Sequence, residues 1–161
     1  MSNSLVVGKL TANDATAKNQ LGTLRTEWST TDSCYKTYKY VQVAADTTVA
    51  NGTVLGYTDV LGHTASLDIT DFNVNQPLGV GIGVITASYY GWILVRGYHS
   101  AIKTDGGDDI ADGDSLIVDN TIDGTCDSVA SGTAPTSKII GVAVTADIDS
   151  SNTVAGMVYC L

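Results

Sequence analysis

Apolar and polar positions alternate at short range along most of this chain. The run Cys34–Val43 (CYKTYKYVQV) is aromatic and β-branched, which predicts a strand. One parity set in its second half is Lys39, Val41 and Val43, and the other is Tyr38, Tyr40 and Gln42. Either set could face a core, so the pattern leaves the inward face open. Further strands are expected at Thr53–Tyr57, Leu78–Thr86, Trp92–Tyr98, Leu116–Val118, Ile139–Thr145 and Val154–Leu161. Turn chemistry separates them at Ala50-Asn51-Gly52, Asp105–Asp109 and Asp123-Gly124, because Gly and Asp tolerate positive φ. Residues 128–137 (SVASGTAPTS) read as a polar loop. Residues 1–33 show no sustained period and read as an irregular arm before a body at 34–161. A short helix over Asn13–Leu21, capped by Asn13 or Asp14, is the regular element expected there.

An internal echo organises the body. Val49-Ala50-Asn51-Gly52-Thr53-Val54-Leu55 resembles Ile110-Ala111-Asp112-Gly113-Asp114-Ser115-Leu116. About 30 residues after each comes a related strand, Pro77–Gly83 and Ile139–Val144, and then an aromatic or aliphatic one, Gly91–Gly97 and Gly156–Leu161. The offset is 61 or 62 residues. Two related β units, 49–97 and 110–161, are expected to share a core that neither fills alone. The prediction is an all-β fold, a compact barrel or sandwich (tulip-like) with an irregular N-terminal arm.

Composition sharpens this reading. Of 161 residues 43% are hydrophobic and 16% charged, so a core is affordable and disorder is excluded. Glu27 is the sole glutamate among 17 acids, and polar helix formers are scarce, which excludes a helical bundle. The net charge is −9. Residues 1–40 carry +2 and residues 41–161 carry −11, a mildly basic arm before an acidic body. No basic patch suits phosphate contacts, so nucleic acid is not an expected partner. No apolar run reaches a membrane span, and the start MSNSLVVGKL does not read as a signal peptide, so synthesis in a cytosol is expected.

The candidate chemistry is sparse. Cys34, Cys126 and Cys160 are too widely spaced for a CxxC site and read as free thiols. His63 and His99 read as surface or packing residues. A nucleophilic site would need Cys34 or Cys126 beside a histidine, and no nucleophile elbow or phosphate loop is present. Asp105, Asp108, Asp109, Asp112 and Asp114 could bind calcium, but the EF-hand pattern fails at Ile110, and around Gly124 it fails at Ala130. A solvated loop is the expectation, with no cofactor and no assigned metal ligand. Tyr89, Tyr90 and Trp92 could form a sugar platform. Trp28, alone in a polar arm, reads as an anchor.

The segment Tyr38-Lys39-Tyr40-Val41-Gln42-Val43-Ala44, the turns Ala50–Leu55 and Ala111–Leu116, and the strand Gly141–Val144 follow an order that resembles capsid decoration, or cement, proteins of tailed bacteriophages. The likeness covers residues 35–161 and is one of composition and order. It implies a non-enzymatic homotrimer on the outside of a capsid, made in the host cytoplasm, bound to the major capsid protein and stabilising the shell. The arm and first strand then supply the contact, and Lys9, Lys18, Arg25, Trp28, Tyr35 and Lys36 are the expected partner-binding residues. A tail-tube, connector or head-fibre component, or a glycan-binding module, are the alternatives.

Overall fold

The computed structural model describes residues 8–72, 76–107, 109–130, 132–135, 138–146 and 152–160. Residues 1–7 of the arm, Asp108 of the acidic loop, Leu161 of the last strand and part of the 128–137 loop lie outside them. The fold is all-β, with ten strands in one sheet and no helix among the described residues. They are β1 (Leu24–Ser29), β2 (Cys34–Val43), β3 (Val54–Asp59), β4 (Thr64–Ser66), β5 (Pro77–Gly81), β6 (Tyr90–Lys103), β7 (Ser115–Val118), β8 (Cys126–Val129), β9 (Ile139–Ala143) and β10 (Thr153–Tyr159).

Five strands close on themselves. β2 pairs parallel with β4, β4 with β3, β3 with β5, β5 with β6, and β6 returns antiparallel to β2. Val41, Val43, Leu55, Ala65, Leu78, Ile93 and Val95 form one buried cluster of this ring. The other parity of β2 and β6, Tyr38, Tyr40, Trp92 and Leu94, belongs to a second cluster. Both faces of β2 are therefore buried along its second half, which is why its pattern could not choose between them.

The remaining strands repeat the first set. The order β4-β3-β5-β6 is followed by β10-β9-β7-β8, the same arrangement met in reverse across the β6–β10 seam. Leu55 faces Gly79 across β3 and β5, and Leu116 faces Gly141 across β7 and β9. In both pairs the register shifts at the next residue. The turn hydrogen bonds correspond one by one. Gly52 N–H donates to Gly81 O and Gly113 N–H to Ala143 O, at 2.8 and 3.0 Å. Ala50 N–H donates to Thr53 Oγ1 (3.2 Å) and Ala111 N–H to Asp114 Oδ2 (2.9 Å). Gly52 and Gly113 both hold positive φ, +78° and +89°. Val43 meets Ala65 in the parallel β2–β4 pair, and 61 residues later Thr104 meets Cys126 in a parallel bridge. β6 is thus the last strand of one unit in its first half and the first strand of the next in its second half. Ile102, Ile110, Leu116, Cys126, Ile140 and Val158 stand in the second unit where Val41, Val49, Leu55, Ala65, Leu78 and Val95 stand in the first.

The region before β2 departs from the pattern reading in two ways. Leu24–Ser29 is a strand, paired antiparallel with β2 in an unbroken register from Leu24↔Lys39 to Ser29↔Cys34. No helix forms over Asn13–Leu21, because its intended caps are engaged with the body. Asn13 Nδ2 donates to Thr86 Oγ1 (2.9 Å) and its Oδ1 accepts Thr86 N–H (3.0 Å). Asp14 exchanges two 2.9 Å backbone hydrogen bonds with Tyr90. Leu10 and Leu21 pack against the larger core cluster. Elsewhere, β5 stops at Gly81, short of the expected Thr86, and between them only Ile85 pairs, as an isolated bridge to Val49. β6 runs on to Lys103, and the short strands β4 and β8 were not expected.

Candidate functional site

Strand alternation divides the expected binding residues between two faces. Directly opposed residues of an antiparallel pair share a face, so Arg25, Glu27, Lys36 and Tyr38 lie together, and Thr26, Trp28, Tyr35 and Thr37 lie together on the other side. On the first face the cations are satisfied within the chain. Arg25 is ion-paired with Glu27, its Nη1 donates to Gly8 O (2.8 Å), and its guanidinium lies 6.0 Å from the Trp92 ring centroid. Lys36 pairs with Asp32 (2.7 Å) and sits over the Tyr98 ring. Hydrogen bonds from Lys36 and Ser29 hold the Asp32 carboxyl below its ordinary value. Lys9 and Lys18 are exposed, and the Lys18 backbone N–H donates to Tyr40 Oη at 3.1 Å.

The second face carries the open chemistry. Trp28 and Tyr35 meet edge to face, with centroids 5.0 Å apart and planes at 70°. They remain 52% and 67% exposed, and Tyr159 of β10 is 47% exposed on the same face. Thr37, Arg96 and Tyr159 lie side by side across β2, β6 and β10. A groove of about 560 Å³ runs along this row, walled by Tyr35, Tyr159 and Met157, with Thr26, Thr37 and the half-buried Cys34 contributing polar atoms. Arg96 is exposed, and its side chain forms no ion pair or hydrogen bond among the described residues. Among the described residues no acidic side chain lines the groove, although the chain as a whole is strongly acidic. It therefore offers aromatic surface and one free guanidinium on a rigid sheet. Arg96, Met157 and Tyr159 escaped the sequence reading. The one signal was a lone arginine closing the apolar run Trp92–Val95.

Other candidates recede. Trp92 is buried at the sheet centre against Tyr40, and Tyr90 stacks on Tyr40, so Tyr89, Tyr90 and Trp92 do not form an exposed sugar platform. Cys126 is buried, and burial pushes its thiol well above its ordinary value, which removes it as a nucleophile. Cys160 is pushed up to about 12 by the same cause. His99 is buried, and burial holds its imidazole below its usual value. A cleft of about 450 Å³ between Asp46, Thr58 and Asp71 is acidic; desolvation and then the Asp46 carboxylate raise Asp71. Among the described residues no three His, Cys, Asp or Glu side chains are placed to share a metal ion. Protein-family models, curated proteins and solved structures give no match to this chain.

Proposed function

We propose that this chain is a non-enzymatic virion structural protein that binds the outside of a phage capsid and stabilises the shell, with the major capsid protein as its partner. The observation that carries the reading is the groove lined by Tyr35, Arg96 and Tyr159, with Trp28 packed edge to face on Tyr35 beside it: exposed aromatics around a guanidinium that has no ion pair among the described residues. Aromatic and arginine side chains are the usual energetic centres of protein interfaces. The rest of the molecule suits a shell component. Short strands, tight turns and two fused units give a compact body with few long loops, and the acidic surface disfavours wrong partners such as the packaged genome.

On this reading contact with the shell is made by the β1–β2–β6–β10 face, and the segment 8–23 serves as a strap on the body. The test is electron microscopy of undecorated capsids of the encoding phage mixed with the wild-type protein or with Tyr35→Ala and Arg96→Glu variants. Regular knobs with wild type, lost or weakened at least about tenfold in the variants, are expected from interface side chains worth more than about 1.4 kcal/mol each. Bare shells with the wild-type protein would defeat the reading, and self-assembled rings or tubes would favour a tail or connector role.

A further inference from the structure

The edge of β1 points to a second copy of this chain. β1 ends the strand order, and among the described residues no strand pairs with its outer edge. Exposed edges are usually blunted by charged side chains, proline or a bulge. β1 (LRTEWS) has no proline, and its register with β2 is unbroken. Its two charges, Arg25 and Glu27, are of opposite sign and paired with each other, so they do not repel a second copy of the same strand. Leu24 and Trp28 stand beside that edge 49% and 52% exposed.

We propose that β1 pairs antiparallel with β1 of a second copy about a two-fold axis at Thr26. In this register the strand's two charges are complementary to themselves. Arg25 then faces Glu27 of the partner subunit, and Leu24 faces the partner's Trp28. Arg25 and Glu27 of each copy are already neighbours on one face, with 26% and 39% of their side chains accessible. The pairing joins them to their counterparts as four alternating charges. Moving the axis to Arg25 or to Glu27 places like charges directly opposite, which is destabilising. On the other face the apolar Leu24–Trp28 pairs bridge the axis, so the two grooves with Tyr35 and Arg96 become one continuous surface. A six-residue strand pair is a small interface, so the dimer forms in a concentration-dependent way. This pairing goes beyond the capsid reading and does not rest on it.

The test is sedimentation velocity of the full chain over a range of concentrations, with Arg25→Glu and Glu27→Arg variants measured separately and mixed. Far-ultraviolet circular dichroism confirms that each is folded. Wild type is expected to move from monomer to dimer as concentration rises. Each variant alone is expected to lose dimerisation by at least tenfold, since like charges then oppose across the axis. The equimolar mixture restores opposite charge at both cross-strand pairs and is expected to dimerise again. A role of the Arg25–Glu27 pair confined to one chain cannot produce that rescue. Wild-type protein that stays monomeric, a trimer mass, or a mixture that stays monomeric would each overturn the pairing. A monomer that still decorates capsids would overturn the pairing and leave the capsid reading standing. A dimer that leaves capsids bare would do the reverse.

Discussion

Replacing Tyr40 by Phe should loosen the segment 8–23 from the body while leaving the core filled. Tyr40 is fully buried between Tyr90 and Trp92, and its ring is retained in the variant. What is lost is the hydroxyl. It donates to Asp14 Oδ2 (3.0 Å) and accepts from the Lys18 backbone N–H (3.1 Å). Each hydrogen bond contributes about 0.5–1.5 kcal/mol net. Asp14 is half-buried and Lys18 exposed, so both can be rehydrated, which places the sum at about 1–2 kcal/mol. For a chain of this length that lowers Tm by about 2–8 °C. Burial also pushes the Tyr40 phenol up to about 12. A raised value means that the folded state holds the proton more tightly. The stabilisation is therefore complete below the unfolded value near pH 10 and is lost as pH rises from about 10 to about 12. The assay is urea unfolding of Tyr40→Phe beside wild type at pH 7 and across pH 9–12, with limited proteolysis to score cleavage within residues 8–23. Stability within about 0.5 kcal/mol of wild type, unchanged cleavage and an unchanged alkaline slope would show that this hydroxyl does not hold the strap.

Three further outcomes follow from the same structure. Leu55→Ala and Leu116→Ala remove matching buried side chains from the two units, so each should cost about 2–5 kcal/mol in urea unfolding; one large and one negligible loss would contradict their equivalence. Because burial holds His99 below its usual value, the folded state resists its protonation. Stability should be full above about pH 6.5 and fall as pH drops toward the lowered folded value, and His99→Gln should flatten that slope in thermal melts. Native protein treated with iodoacetamide should be labelled at the half-buried Cys34 and spared at Cys126 and Cys160, as mass spectrometry of peptides would show.

Much of the architecture was legible because strand and turn chemistry is local. Cys34–Val43, Trp92–Tyr98 and the Gly52 and Gly113 turns announce themselves by β-branched runs and by residues that accept positive φ. The echo at 61 or 62 residues was visible for the same reason, since each unit repeats the glycine its turn requires. What stayed hidden is what non-local pairing decides. Leu24–Ser29 alternates for only six residues, with Leu24 and Trp28 on the exposed side and Arg25, Glu27 and Ser29 half-buried, so its extended form depends on pairing with β2 and not on a buried apolar face. Asn13 and Asp14 look like helix caps until Thr86 and Tyr90, more than 70 residues away, take their hydrogen bonds. The β-bulge beside Arg96 and the closing strand β10 bring Arg96 and Tyr159 next to Thr37, a neighbourhood that no sequence spacing encodes. Trp28 and Tyr35 were readable as candidate contact residues because they are large aromatics at the polar end of the chain, and the structure leaves both exposed. Arg25 and Lys36 were read with them, and the alternation of the β1–β2 hairpin turns those two cations onto the opposite face, where Glu27 and Asp32 neutralise them.

The central claim is that the β1–β2–β6–β10 face docks on a capsid. Cryo-electron microscopy of bare capsids of the encoding phage, incubated with the purified chain and imaged beside capsids alone, tests it most directly. Density at regular lattice positions, with Tyr35, Arg96 and Tyr159 turned toward the shell, is the predicted result. Shells that stay bare, or density attached through a different face such as the Asp46–Asp71 cleft, would contradict it.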